Sequence, residues 1–369
     1  AWLSAGATIL EISRELLTHG WALRNLAGAS STTLAGALAL DLRGPHESGA
    51  EAAAAGPQRI EIVDGRGELR QLSAVGHGSA HTSAGVAGLG LTGICTAAEL
   101  PIRPVSSGWM IVDSQRHPTA AELFDALSTG GPDTYAFARI DLTAVGAAIG
   151  RGTAVTGRHA KVLDLPEIRR PDALSYVPTS TARSSSGLPR RFTNIANGTL
   201  LQNLAQRTEP ALRRGELVPM STFFHSISEA RNASRRANSS ITYAFSVPLD
   251  RPDLIPGFLE RLGHISGHGD HATVQRGRGP SSGPLGVGID GWDFAIELSC
   301  DTPGLGRMLD EWDERVAGVG GQVALATDAR MRPEAVSAMY PHLDAWHRLR
   351  DEVDPGRYFC SDLSRRLAL

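Results

Sequence analysis

The stretch "STTLAGALALDLRG", residues 31–44, constrains this chain more than any other. Ser31, Thr32, Thr33, Ala35, Gly36, Ala37 and Ala39 strip the main chain of bulk, and Asp41, Arg43 and Gly44 close the run. A chain built this way either packs two backbones closely or lays its amides against something flat and polar. The pattern returns in "GLGLTG", where Gly88, Gly90 and Gly93 lead into "ICTAAELPIRP". Composition alone leaves both readings open.

Periodicity predicts the elements around these bends. "GATILEISRELLTHG" reads as a helix, with Thr8 and Glu11 at capping-box spacing, Ile9, Ile12, Leu16 and Leu17 on one face, and Gly20 at the stop. "RIEIVDGRGELRQL" reads as a hairpin turning at residues 64–67. Residues 104–108, "PVSSG", read as a linker. Beyond them "TYAFARIDL", "ITYAFSVPL", "WDFAIELSC" and "QVALA" read as strands. Helices are expected from Thr119, in "PDLIPGFLERLGHI" and in "GLGRMLDEWDERVAGVGG". Strands alternating with helices suggest an antiparallel sheet covered by helices, an α+β chain. Residues 167–219, rich in Arg, Ser, Pro and Asn, read as loops with short helical pieces.

Composition narrows the function classes. A length of 369 residues suits two domains, and a net charge of −3 gives no basic field for nucleic acid. Cys95, Cys300 and Cys360 are too few and too scattered for a disulfide framework or a zinc site, which favours a reducing, cytoplasmic setting. Lys161 is the sole lysine, so any mechanism needing one must use it. His264, His268 and His271 with Asp270, and His77 with His81, are spaced among glycines; they read as loop histidines and no metal site is expected.

The tail "AMYPHLDAWHRLRDEVDPGRYFCSDLSRRLAL", with "GLGLTGICTAAELPIRP" and the opening residues, resembles the decaprenylphosphoryl-β-D-ribose 2′-oxidase-like FAD-linked oxidoreductases, which are vanillyl-alcohol-oxidase-type flavoproteins. The likeness runs in order through most of the chain and is faint between about 165 and 219. It implies a two-domain fold, an FAD-binding domain plus a substrate domain with an antiparallel sheet. The flavin domain would comprise residues 1–104 and 326–369, and the substrate or cap domain 105–325. It implies that Thr32, Thr33, Gly36 and Ala37 follow the FAD pyrophosphate and ribityl chain, that Gly88, Gly90 and Gly93 make the second close approach, and that Arg43 stands at a flavin-side turn in place of a family histidine. The implied substrate is a small-molecule or polyprenyl-phosphate sugar. Peripheral membrane contact through 167–219 and a partner reductase are compatible with it.

The departures are chemical as well as architectural. The family begins with a flavin subdomain ahead of the point matching Ala1; either that segment lies outside this sequence or the lineage has lost it. An essential family lysine aligns with Thr327, and Arg330 is retained nearby. A family tyrosine aligns with Phe224 beside a retained His225, glutamines with Thr242 and Ala244, a lysine with Arg276 and an asparagine with Thr273. His225, Arg276, Thr327 and Arg330 are therefore the candidate catalytic positions. Two functions compete: an FAD-dependent oxidation of a sugar-type secondary alcohol, or a flavin-free descendant that uses the cleft for non-redox catalysis or binding.

Overall fold

The computed structural model describes residues 1–24, 28–42, 44–47, 56–73, 86–129, 133–142, 144–179, 211–237, 239–263, 271–277 and 283–369. The chain opens with β1 (Trp2–Ser4), α1 (Ile9–Thr18), β2 (Trp21–Leu23) and α2 (Leu34–Ala39). α1 begins where its residues dictate. Thr8 Oγ1 accepts the Glu11 amide at 3.2 Å, and the Glu11 carboxylate accepts the Thr8 amide at 2.8 Å. Its buried stripe is Ile9, Ile12, Leu16 and Leu17, and Gly20 follows in the left-handed region at φ 74°.

β3 (His46–Glu47), β4 (Arg59–Val63), β5 (Leu69–Ser73), β6 (Ile94–Glu99) and β7 (Ile102–Pro104) follow. The first sheet has the order β1-β6-β4-β5, and β2 pairs separately with β7. The β4–β5 turn is fixed by buried Asp64, whose carboxylate accepts the amides of Arg66 and Glu68 and pairs with Arg70 Nε at 2.6 Å. Burial pushes the Asp64 carboxyl up, and those amides and cations more than offset it, leaving it below its ordinary range.

The segment expected as a linker is packed instead. Ser107 is fully buried and donates to Ala160 O at 2.6 Å, and the Gly108 amide donates to Ala173 O at 2.7 Å. Small polar residues in a sequence mark close crossings as readily as solvated links.

Next come β8 (Trp109–His117), α3 (Ala120–Ser128), β9 (Tyr135–Asp141), β10 (Gly152–His159), β11 (Leu212–Pro219), α4 (Met220–Ala237), β12 (Ser240–Pro248), α5 (Leu254–Gly263), β13 (His271–Arg276), β14 (Gly291–Ser299), α6 (Leu305–Gly318) and β15 (Gln322–Val323). The strands form a nine-stranded antiparallel sheet, β11-β8-β10-β9-β13-β14-β12-β15, with β3 on β9. Two expectations change here. Residues 212–219 form an edge strand rather than loop; a bulge between Arg213 and Glu216 and an exposed outer half hide its alternation. "QVALA" is a strand only through Val323, after which Leu325–Thr327 turn as a short 3₁₀ segment.

One face of this sheet carries Ala138, Ile140, Tyr243, Phe245, Val247, Val274, Phe294 and Ile296 under α3, α5 and α6; Phe258 of α5 stacks on Trp312 of α6 at 4.7 Å. The other face, with Tyr135, Phe137 and Val155, meets Met220, Phe223 and Phe224 of α4 and the apolar side of the first sheet. The tail, α7 (Pro333–Met339), α8 (Leu343–Val353) and α9 (Asp362–Leu367), joins both cores. Trp346 lies in one and Val353 in the other, and the Gly65 amide donates to Val353 O at 2.7 Å. The chain is α+β. No helix among the described residues is long and apolar enough to cross a membrane.

Candidate functional site

The two stripped bends lie side by side. The Ala87 amide donates to Leu38 O and the Leu89 amide to Ala39 O, both at 2.9 Å, so the second bend is hydrogen-bonded to the end of α2. Backbone conformations that cost L-residues about 1 kcal/mol or more gather here: Asp41 has φ 45°, Ala87 52° and Leu89 54°, next to Gly90 at 72°.

The bends differ in what their main chain does. The first is occupied by its own neighbours. The amides of Ile9, Leu10, Leu34 and Ala35 bond it to residues 5–10. Thr33 caps α2 by accepting the Gly36 amide at 3.2 Å, and a Cβ at Gly36 would lie 3.3 Å from Thr33 Oγ1. Thr32 packs between Gly28 and Gly36, and Ala37 is buried. The bulk removed from 31–37 thus serves close packing of backbone on backbone. In the second bend, Gly88 is buried, and among the described residues no oxygen accepts its amide hydrogen. A buried amide with no acceptor among the described residues is rare and leaves a donor for an acceptor outside them. Gly90 is exposed, with open space where a Cβ would sit. Gly93 is spent on packing, its absent Cβ replaced by Val63 O at 2.8 Å. An anionic group laid along main chain, as FAD requires, therefore fits 87–90 better than 31–37.

His225 links α4 to this region. Its ring is 1% exposed, and Nδ1 lies 2.9 Å from Gly28 O. A carbonyl only accepts, so Nδ1 carries the proton and Nε2 is the basic nitrogen. Phe224 beside it packs edge-on to Tyr135 at 4.9 Å. Tyr135 in turn meets His159 Nε2 at 3.2 Å and accepts from Arg103 at 3.3 Å. Burial, reinforced by the Arg103 charge, pushes His159 down to about 4.

Strand alternation gives the large sheet a polar patch on the face away from α5 and α6. Thr242 pairs with Glu297, Ala244 with Ala295 and Thr273 with Arg139. Thr242 Oγ1 donates to the Glu297 carboxylate and Ser246 Oγ to that of Asp293. The Ala324 amide donates to Ala244 O at 2.8 Å, laying the turn that ends in Thr327 along the edge of β12; the Thr327 hydroxyl donates to Ala324 O at 3.3 Å.

Arg276 and Arg330 are not brought to this patch. Arg276 shares the parity of Ala272 and Val274, hence the opposite face, and pairs with Asp290 at 3.7 Å. Arg330 bonds Asp310, and Asp313 at 2.8 Å, below the ring of Tyr243. Arg43 lies outside the described residues, as do His77, His81, His264, His268 and Asp270; His271 opens β13. Sequence reasoning passed over Asp293 and Glu297, though in "WDFAIELSC" they alternate with Trp292, Phe294 and Ile296 and so were legible as the other face. No local signal marked Gly28.

These features define an α+β protein with a strained glycine bend, packed against the segment between β13 and β14, and a half-buried polar sheet face, an arrangement compatible with a two-domain flavin-linked oxidase. The chain belongs to the family of a Streptomyces coelicolor protein described as the uncharacterized protein in the mprA 5′ region, with 33% identity over 371 residues, 98% of this chain and 100% of that one. It is also similar to decaprenylphosphoryl-beta-D-ribose oxidase of Mycolicibacterium smegmatis, 28% identical over 376 residues, covering 100% of this chain and 80% of the relative. No family model matches.

Proposed function

We propose that the protein is an FAD-linked oxidoreductase acting on a secondary alcohol of a sugar-like molecule, with a substrate changed from that of its oxidase relative. The observation that carries the reading is the buried Gly88 amide, which no oxygen among the described residues accepts, in a strained bend bonded to α2. The amides of Gly88 and Gly90 would hold the cofactor's phosphates, those of Ala87 and Leu89 being bonded to α2. When bound, FAD supplies the hydride acceptor. His225 is a positioning residue that fixes the Gly28 loop against α4. The hydroxyls of Thr242, Thr273 and Ser246, with the carboxylates of Asp293 and Glu297, would orient the hydroxyl groups of a polyol over the flat floor of Ala244 and Ala295. Two carboxylates at this face, beside Thr242, Ala244 and Thr273 where the resembled family has amides, favour a neutral sugar portion here.

One observation favours the flavin-free reading: Thr327 spends its hydroxyl on Ala324 O, and Arg330 is neutralised by Asp310 and Asp313. Neither brings a cation to the edge of β12. Protein purified from its full gene separates the two. Under the oxidoreductase reading it carries flavin absorbance that bleaches anaerobically with a polyol substrate, and Gly88→Val loses the flavin while far-UV circular dichroism is kept. Colourless protein that takes up no added FAD overturns the reading in favour of the second.

A further inference from the structure

Away from the bends, residues 160–173, which follow β10, make a fixed projection beside the β8–β11 edge of the large sheet. The chain is anchored at three places. Ala160, Leu165 and Ala173 are buried and form a small core of their own against Trp109, Ile111 and Leu217. The Ala160 amide donates to Trp109 O at 2.9 Å, the Val162 amide to Ser106 Oγ at 3.1 Å, and Arg170 Nε to Leu165 O at 3.0 Å. Between the anchors the chain makes two outward arcs, each carrying a 3₁₀ turn, Val162–Asp164 and Glu167–Arg169.

Each arc lifts one large aliphatic side chain off the protein. Leu163 is 75% exposed and Ile168 87%, the highest value among the described large apolar residues. A single exposed aliphatic is ordinary. Two on neighbouring arcs, held out by buried anchors, are a placement the fold maintains at the cost of wetting apolar surface. Each is accompanied by a cation that has no carboxylate. Lys161 and Arg169 pair with no acidic group among the described residues, and the Arg169 guanidinium lies over the Trp109 ring at 4.3 Å. The carboxylates nearby are taken: Asp164 faces Arg158 at 3.6 Å and accepts the Lys161 amide, and Glu167 faces Arg170 at 3.9 Å.

We infer that this projection docks the protein on an anionic lipid surface. Charge selects that occupant. Leu163 with Lys161, and Ile168 with Arg169, set an aliphatic group beside an uncompensated cation, so the first enters the acyl boundary while the second stays at the level of the lipid phosphates. A protein partner calls instead for one contiguous apolar centre inside a polar rim, whereas here the buried Leu165 anchor parts the two aliphatics. Attachment is of the surface kind, since no helix among the described residues can cross a membrane. The inference stands apart from the flavin reading and is tested with or without bound cofactor.

Lys161 is the sole lysine, so its amine reports the contact directly. The full chain is sedimented with vesicles of equimolar phosphatidylglycerol and phosphatidylcholine, or of phosphatidylcholine alone. In parallel, acetylation of Lys161 by an N-hydroxysuccinimide ester is followed by mass spectrometry of its peptide. The expected result is binding to the anionic vesicles alone, weakened by salt, with acetylation of Lys161 slowed by them. Leu163→Ser/Ile168→Ser should weaken binding by about tenfold or more, and Lys161→Gln by about fivefold, the share of one basic residue at an anionic surface. These positions are exposed, so circular dichroism should not change. The inference is overturned by no sedimentation with the anionic vesicles or by equal sedimentation with the neutral ones. Binding that the double variant keeps, while anionic vesicles leave Lys161 acetylation at its free rate, also overturns it.

Discussion

At the scale of single residues, the chemistry of Arg330 shows how much a neighbourhood decides. In sequence it is a retained cation near a lost lysine; in the fold its guanidinium is held by Asp310 and Asp313, and Tyr243 donates to Asp313 at 2.9 Å. Burial pushes Asp313 above its ordinary range even though Arg330 pulls it down. Arg330→Ala is therefore expected to cost about 3–5 kcal/mol in urea unfolding, because it strands a buried carboxylate. Asp313→Asn, which keeps a polar partner for Tyr243, should cost less. A variant that keeps its stability but loses turnover would return Arg330 to the site. His159 makes a pH prediction of known sign. Its folded value of about 4 lies below the ordinary ~6.5, so the folded state binds fewer protons between these limits. The stability it contributes is complete above pH ~6.5 and lost as pH falls towards ~4, by about 3 kcal/mol. His159→Gln should flatten that acid limb in unfolding midpoints measured against pH.

At the scale of elements, local rules carried far because the signals were local. The capping box at Thr8, the Asp64 turn and the Thr119 cap each lie within a few residues of the element they start. Thr8→Ala should cost about 1 kcal/mol and Thr8→Ser much less, measured by thermal unfolding. What stayed illegible needed a partner distant in sequence. The 31–37 run gave the right question, yet only the backbone bonds to residues 5–10 show that its smallness serves packing. β11 was hidden because an edge strand with one solvated face and a bulge has no period to read. The polar patch was half legible: Thr242, Ala244 and Thr273 were singled out, and alternation already put Asp293 and Glu297 on the outer face of β14, but only the register of β12 and β14 sets them beside Ser246 and Thr242.

At the scale of the whole molecule, the candidate site depends on how the large sheet is set against the glycine bend, and one glycine controls that. A Cβ at Gly283 would lie 1.9 Å from Val86 O and 2.9 Å from Ala87 Cβ, so the chain between β13 and β14 touches the bend that holds Gly88. Backbone cannot yield as a flexible side chain does, so Gly283→Ala must push the two apart, at an expected cost of about 1–3 kcal/mol. The expected signature is local: faster amide hydrogen exchange in 86–91 and weaker flavin retention, with exchange in α5 and α6 unchanged. Gly257 supplies the contrast. It sits inside α5 with open space around the missing Cβ, so Gly257→Ala should stabilise by about 0.5–1 kcal/mol and leave exchange at 86–91 as it was. If Gly283→Ala instead behaved like Gly257→Ala, the sheet and the bend would not be in contact, and the polar face would have no claim to face the proposed cofactor.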